Sequence, residues 1–340
     1  MIINLLLLLN EQTKYCGDYY LNKNFSSSKK FRVKTIYTAP MIDNLFKKIL
    51  FKIKIPLAKK KINLQILNYL KYSKTDIIFI YKGIYIYPHI LKYIKKYYPN
   101  IKIITYSGDN MYLWHNKNLN FHFSQKLYDR YITVNDEPYK KISKFFNHDV
   151  IYVDQFYDEE IHSYTEKNEY SYEIVFIGSF EKRRLEFLTY LAVHGLKIEI
   201  FGGMWKKMNY HENLNVHLKP VMGHDYANLI SSSKITISFL RDINFDTQND
   251  RTYEIIACGG FPLLPRTITH QRLYKENIEA IFYDTKEELL EKCRYFLIND
   301  MQRNKIKRKG YAKLLKLNRK YSDFIEYIYN LSSNLLSEEL

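Results

Sequence analysis

Short apolar runs alternate with longer stretches of helical spacing along this chain. In the first half, Ile2–Leu9, Asp76–Tyr81, Ile101–Tyr106, Arg130–Val134 and Val150–Val153 read as buried strands. Helical patterns fill Asn63–Tyr72, Pro88–Tyr98 and Glu137–Phe146 between them. The second half restarts the rhythm, with strands predicted at Tyr172–Ile177, Lys197–Phe201, Lys234–Phe239, Phe261–Leu264 and Ala280–Tyr283. Helices are predicted there at Arg183–His194, Asp225–Ser232, Thr252–Cys258 and Lys286–Ile298, and a last one at Asp323–Leu336. Such alternation builds parallel βαβ units.

A polar, acidic stretch, Asp158–Tyr170, separates the halves and is expected to be a linker. The predicted division is an N-terminal Rossmann-like domain over 1–157, the linker over 158–170, a C-terminal Rossmann-like domain over 171–318, and a helix within 319–340 that packs back on the first domain. A length of 340 residues suits two domains. The expected architecture is α/β: two doubly wound domains facing across a cleft, followed by C-terminal helices. Ligands in such folds sit at the C-terminal ends of the strands.

Composition adds a bias toward anions. Apolar types make up 46% and charged types 26%, the balance of a globular protein with full cores. The formal net charge of +16 favours nucleic acid, a phosphorylated metabolite or lipid headgroups as partners. The 33 tyrosines accompany heavy Ile, Lys and Asn usage, so they are not read one by one as binding residues. Three cysteines without a C-x-x-C pair argue against a disulfide framework and for a reducing cytoplasm. The apolar start, Met1–Asn10, lacks the basic flank and cleavage site of a signal peptide, and no run reaches the ~18 residues of a membrane span. The basic, apolar stretch 44–61 fits an ordinary surface helix and a helix lying on an anionic membrane equally well.

The chemistry concentrates after residue 171. A predicted strand ends in Gly178-Ser179-Phe180 and is followed by Glu181-Lys182-Arg183-Arg184. A glycine there permits close approach, and the free N–H groups of the next helix attract phosphate. A second strand runs into Gly202-Gly203, with Trp205 able to stack on a ligand or fill a core. The segment Asp250–Phe261 reads as a loop, a helix carrying Glu254 in its first turn, and a Gly259-Gly260 stop before a strand. In the first half, Ser107-Gly108-Asp109-Asn110 closes a strand; Asp109, with His115 behind it, is either a general base or a turn residue.

On the stretches FIGSFEKRR (176–184), SSKITISFLR (232–241), NDRTYEIIACGGF (249–261) and YDTKEELLEKCRYFL (283–297), the chain resembles CgeB-like, spore-maturation-protein-type glycosyltransferases. These have the GT-B fold and stand near the glycosyl transferases group 1. The first half resembles them through 76–99 and TYSGDN (105–110). The resemblance implies a nucleotide-sugar donor on the second domain and an acceptor on the first. It implies that Glu254 holds the donor ribose and that Gly178, Ser179 and Arg184 meet the diphosphate. Arg241 and Arg251 are further cation candidates, and Gly202, Gly259 and Gly260 let the backbone approach. Asp246 and Glu254 have the spacing of an acidic pair in related enzymes, with Asp where Glu is usual.

The expected activity is therefore metal-independent transfer of a sugar, hexosyltransferase-like, to a saccharide, lipid-linked or protein acceptor in cell-surface glycan synthesis. The expected cofactors are none. No Asp-x-Asp occurs in the chain, so fixed cations would stabilise the leaving diphosphate. The expected location is cytoplasmic, peripheral to the inner face of the membrane. Two rivals stand beside this reading: a basic nucleic-acid-binding protein, suggested by KYIKKYY (92–98) but lacking any helix-turn-helix, zinc or RNP signature, and a GT-B protein that binds nucleotide sugar without transferring it.

Overall fold

The computed structural model describes residues 1–39, 60–135, 143–148, 150–167 and 169–337. Most of the basic stretch 44–61 and of the predicted helix Glu137–Phe146 lies outside the described residues.

The first unit comprises Met1–Asp154 and the residues from Tyr321 on. Its strands are β1 (Ile3–Leu9), β2 (Phe31–Tyr37), β3 (Ile77–Tyr81), β4 (Lys102–Ser107), β5 (Arg130–Thr133) and β6 (Val150–Tyr152). They form one parallel sheet in the order β2-β1-β3-β4-β5-β6. Its helices are α1 (Gly17–Ser27), α2 (Lys60–Tyr72), α3 (Pro88–Tyr97), the short α4 (Leu119–Ser124) and the returning α11 (Tyr321–Ser337). Central parallel strands are covered on both faces, which is why β1 and β3 are almost unbroken Leu and Ile. Leu6, Leu8, Ile78 and Ile80 face Ile66 of α2 and Leu91 and Ile94 of α3. On α11, Phe324, Ile325, Ile328 and Leu335 are buried, and Phe324 packs edge-on against Phe79 and tilted against Tyr106. At roughly 1.5–3 kcal/mol for each such side chain, this helix is integral to the first unit.

The second unit comprises Gln155–Lys320. Its strands are β7 (Tyr172–Ile177), β8 (Ile198–Phe201), β9 (Leu214–His217), β10 (Ser233–Ile237), β11 (Pro262–Pro265) and β12 (Ile281–Tyr283). They too are all parallel, in the order β12-β11-β10-β7-β8-β9. The helices are α5 (Lys182–Val193), α6 (Gly223–Ser231), α7 (Arg251–Ala257), α8 (Ile268–Leu273), α9 (Lys286–Ile298) and α10 (Asp300–Leu315). The stretch 158–170, expected as a linker, packs on this unit. Asp158 and His162 are buried, Tyr164 lies 4.3 Å from Tyr311 ring to ring, and Glu166 pairs with Arg308 at 2.6 Å. The stretch is polar in composition, yet its polar side chains are engaged: Tyr170 donates to Asn304 at 3.2 Å, and the Asp158 carboxylate accepts the Ile161 amide at 3.1 Å. The three cysteines are free, with Cys258 and Cys293 buried and Cys16 half-buried.

Candidate functional site

Each sheet has one point where the winding reverses, and ligands of doubly wound folds bind at the carboxyl ends of the strands there. In the second unit this point lies between β7 and β10. A cavity of about 380 Å³ opens at it. Glu181 and Arg184 line it after β7, Arg241 and Asp242 after β10, Arg266 and Thr267 after β11, and Tyr283 closes it on β12. Asp246 and the exposed Phe245, which is held in a left-handed conformation (φ 53°), are also on its wall.

Arg184 is the cation most firmly built into this cavity. It is 3% exposed, donates from Nη1 to the Ser179 carbonyl at 2.9 Å, and lies 3.1 Å from Glu181. Its Nε is buried without a hydrogen-bond partner among the described residues. Burial, opposed by Glu181 and reinforced by the cations Arg251 and Arg241, draws its pKa down to about 10, so it stays charged at neutral pH. Arg241 is half exposed and shares Glu181 at 3.7 Å. Arg183 also lines the cavity and pairs with Asp242. Arg266, not singled out from the sequence, is gripped by Glu276 and Glu288 at 2.7 Å each and by Asp284. Those hydrogen bonds hold its pKa above the usual guanidinium range.

Several residues expected to meet a ligand have close internal neighbours. The Gly178 carbonyl accepts the Trp205 indole N–H at 2.8 Å, so Trp205 is core rather than a stacking surface. A Cβ on Gly202 would lie 2.0 Å from that same carbonyl oxygen. Gly202 therefore serves the approach of two strand ends. A Cβ on Gly259, at φ +74°, would meet the Thr165 carbonyl at 2.8 Å, and one on Gly260 would meet Ile230 at 2.4 Å. Both glycines let the end of α7 pack against its neighbours. Ser179 lies outside the cavity lining and meets Arg184 through its backbone carbonyl.

Glu254 lies outside the lining of the cavity, in a neighbouring buried cluster. Tyr226 donates its hydroxyl to Oε2 at 2.8 Å, and His162 Nε2 stands 3.6 Å from Oε1. The Asp158 amide donates to His162 Nδ1 at 3.2 Å, so in the neutral ring Nε2 carries the hydrogen that faces Glu254. Burial raises the Glu254 pKa, while Arg251 and the Tyr226 hydroxyl lower it. Arg251 thus bears on both Glu254 and Arg184, and its own Nε is buried without a hydrogen-bond partner among the described residues. Asp246 accepts a bond from Asn244 at 3.3 Å. The structure brings Arg184, Arg241 and Asp246 to one cavity and sets Glu254 and Arg251 beside it.

In the first unit the winding reverses between β1 and β3. Asp109, at the end of β4, is tied to Lys82 at 2.5 Å and turned by reciprocal bonds with the Ser107 hydroxyl. His115 is half-buried on the following turn. The reversal itself holds a carboxylate missed from the sequence: Asp18, 7% exposed in the first turn of α1, accepting the Asn10 amide at 2.7 Å. Burial pushes its pKa up to about 6, against the pull of that amide and of Lys82. Lys82 follows β3 in a left-handed conformation (φ 62°) unusual for a non-glycine residue, and so serves both Asp18 and Asp109. Only the Lys82-Gly83 pair after a predicted strand hinted at this turn.

Among the described residues, no helix is long and apolar enough to cross a membrane, and no group of three or more His, Cys, Asp or Glu could hold a metal ion. Residues 183–327 match the family described as glycosyl transferase-like. No curated protein matches the chain. Among solved structures it is similar to sucrose-phosphate synthase from Thermosynechococcus elongatus (TM-score 0.71, 9% identity, covering 99% of this chain and 100% of that one). It is similar to a glycosyltransferase from Rickettsia africae (TM-score 0.68, 12% identity, 98% and 99% covered). It is also similar to Anabaena HepE in complex with UDP-glucose (TM-score 0.64, 9% identity, 99% and 100% covered). The chain has the GT-B fold and carries, over residues 183–327, a glycosyl transferase-like segment.

Proposed function

We propose that this protein is a CgeB-like glycosyltransferase that moves a hexose from a nucleoside-diphosphate donor, held by the second unit, to a hydroxyl of an acceptor held by the first. The observation that carries the reading is the cavity at the β7/β10 reversal with the buried Arg184, charged at neutral pH, on its wall. As the bond from the anomeric carbon to the diphosphate breaks, charge builds on the leaving oxygen. Arg184, Arg241 and the N-terminus of α5 stabilise it there, with no metal ion required. Glu254, oriented by Tyr226 and His162, receives the donor ribose hydroxyls. The Anabaena protein bound to UDP-glucose supports a donor of that class.

Asp18 takes the place that Asp109 held in the sequence reading. Asp109 is held in an ion pair by Lys82, whereas a buried carboxyl whose pKa is near 6 is poised to accept the proton of an acceptor hydroxyl. The acceptor is a saccharide, lipid-linked or protein glycan of the cell surface, and a lipid-linked one would bring the enzyme to a membrane. A thermal-shift screen with UDP-, GDP-, dTDP- and CMP-sugars tests the donor half. A ligand at a hundred times its Kd adds about 2.7 kcal/mol. One donor class should raise Tm, and Glu254→Ala should remain folded and lose the response; an unchanged response removes Glu254 from the site.

A further inference from the structure

Two neighbouring helices of the first unit, α2 and α3, carry Lys60, Lys61, Lys71, Lys92, Lys95 and Lys96 and no acidic residue. Of these, Lys95 is committed to Asp129. Between the helices runs an open groove of about 590 Å³, lined by Lys61, Leu64, Leu67, Lys71, Tyr93 and Tyr98 together with two amides. Around it, large apolar side chains stand in solvent: Leu64 is 51% exposed, Tyr72 72%, Tyr93 43% and Tyr97 55%. The Lys71 and Lys96 ammonium groups lie over the rings of Tyr72 and Tyr97.

We infer that this α2/α3 face docks the protein on an anionic phospholipid bilayer. Tyrosine and leucine tips on a helix face suit the headgroup level of a membrane, where one end is wet and the other apolar. Lysines around them meet the negative surface potential. Every cation on the face is lysine, a point charge without the planar fork that nucleic-acid recognition favours, so the face suits headgroups better than bases. The docking stands on the first unit alone and does not depend on what the second unit binds.

Co-sedimentation of the full-length protein with vesicles tests this, at 0.1 M salt, using phosphatidylcholine alone or with phosphatidylglycerol at a 3:2 ratio. Binding is expected to the mixed vesicles, not to phosphatidylcholine alone, and to fall with added salt. Each lysine near such a surface is worth roughly a five-fold factor in partitioning, so Lys61→Glu/Lys71→Glu should lower it at least about 25-fold. Leu64→Ser/Tyr93→Ser should weaken it without a change of charge, and Lys305→Glu/Lys309→Glu, on exposed positions of α10, should leave it within about two-fold. Circular dichroism and the donor thermal shift report folding and donor binding separately. The inference is overturned if the wild type ignores mixed vesicles, if the α10 pair reduces binding as much as the groove pair, or if the same face binds generic RNA more tightly than vesicles at equal salt.

Discussion

Replacing Asp18 with Asn should make the protein more stable and less active. The carboxyl is 7% exposed, and burial moves its pKa from 3.8 to about 6. At about 1.36 kcal/mol per pKa unit, ionised Asp18 costs the folded state about 3 kcal/mol. The sign follows from the raised value: the cost is full above the folded pKa near 6 and vanishes below 3.8, so the native state gains stability as pH falls between them. Asparagine keeps an acceptor for the Asn10 amide but adds an NH2 that needs a partner, which takes back about 1 kcal/mol. Urea unfolding should therefore show Asp18→Asn more stable than wild type by about 2 kcal/mol at pH 7.5, with the advantage gone by pH 4. If Asp18 accepts the acceptor's proton, the same variant should lose roughly 10²- to 10⁴-fold in turnover, and wild-type kcat/KM should rise through pH 6. A variant less stable at pH 7.5, or an advantage independent of pH, would refute the buried-charge argument. Full activity in a stable Asp18→Asn protein would remove Asp18 from proton transfer.

Three other outcomes follow from the second unit. Gly202→Ala places a Cβ 2.0 Å from the Gly178 carbonyl oxygen, so it should cost about 3 kcal/mol or more in urea unfolding; a loss under about 1 kcal/mol would mean the strand ends can part. Arg184→Met keeps the shape of a buried side chain and removes its charge. It should stay folded while donor affinity, read by calorimetry with the donor found in the screen, falls about 100-fold; unchanged affinity would exclude Arg184 from the diphosphate. Arg266→Lys cannot fork to Glu276, Asp284 and Glu288 together, and the group is 23% exposed, so a loss of about 1–2 kcal/mol is expected at pH 7. Arg266 lowers the Glu288 pKa from 4.5, so this stabilisation is present above pH 4.5 and lost as pH falls through the depressed value. The gap between the two proteins should close in acid, and a gap constant with pH would count against the ion network.

The central strands were plain in the sequence, and so were the edges Val150–Tyr152 and Ile281–Tyr283, whose short runs are apolar or aromatic. Ile77–Tyr81 and Tyr172–Ile177 are covered on both faces, so burial writes a continuous apolar run. The missed strands, Phe31–Tyr37 and Leu214–His217, are edges of their sheets, and exposed Arg32, Lys34 and Asn215 break the run. The helix Gly17–Ser27 was missed because Tyr20, Leu21 and Phe25 are its only buried apolar residues. The basic loop with Arg184 was legible because a strand, a glycine and a cationic helix start occur in order. Gly259 and Gly260 left their partner open, because a glycine shows that something comes close, and not whether it is a nucleotide or Tyr164. Asp18 carries no local signal at all. Its burial depends on β1 lying beside β3, an adjacency that chain order does not contain.

The position of the helix Tyr321–Ser337 also bears on how the chain is made. Phe79 and Tyr106 leave the ribosome early, but the Phe324 ring that covers them is synthesised only after all of Gln155–Lys320. Through most of translation the nascent first sheet bares an aromatic flank, a natural target for chaperones and a site of self-association, and a message truncated before codon 321 would yield a product bearing that flank permanently.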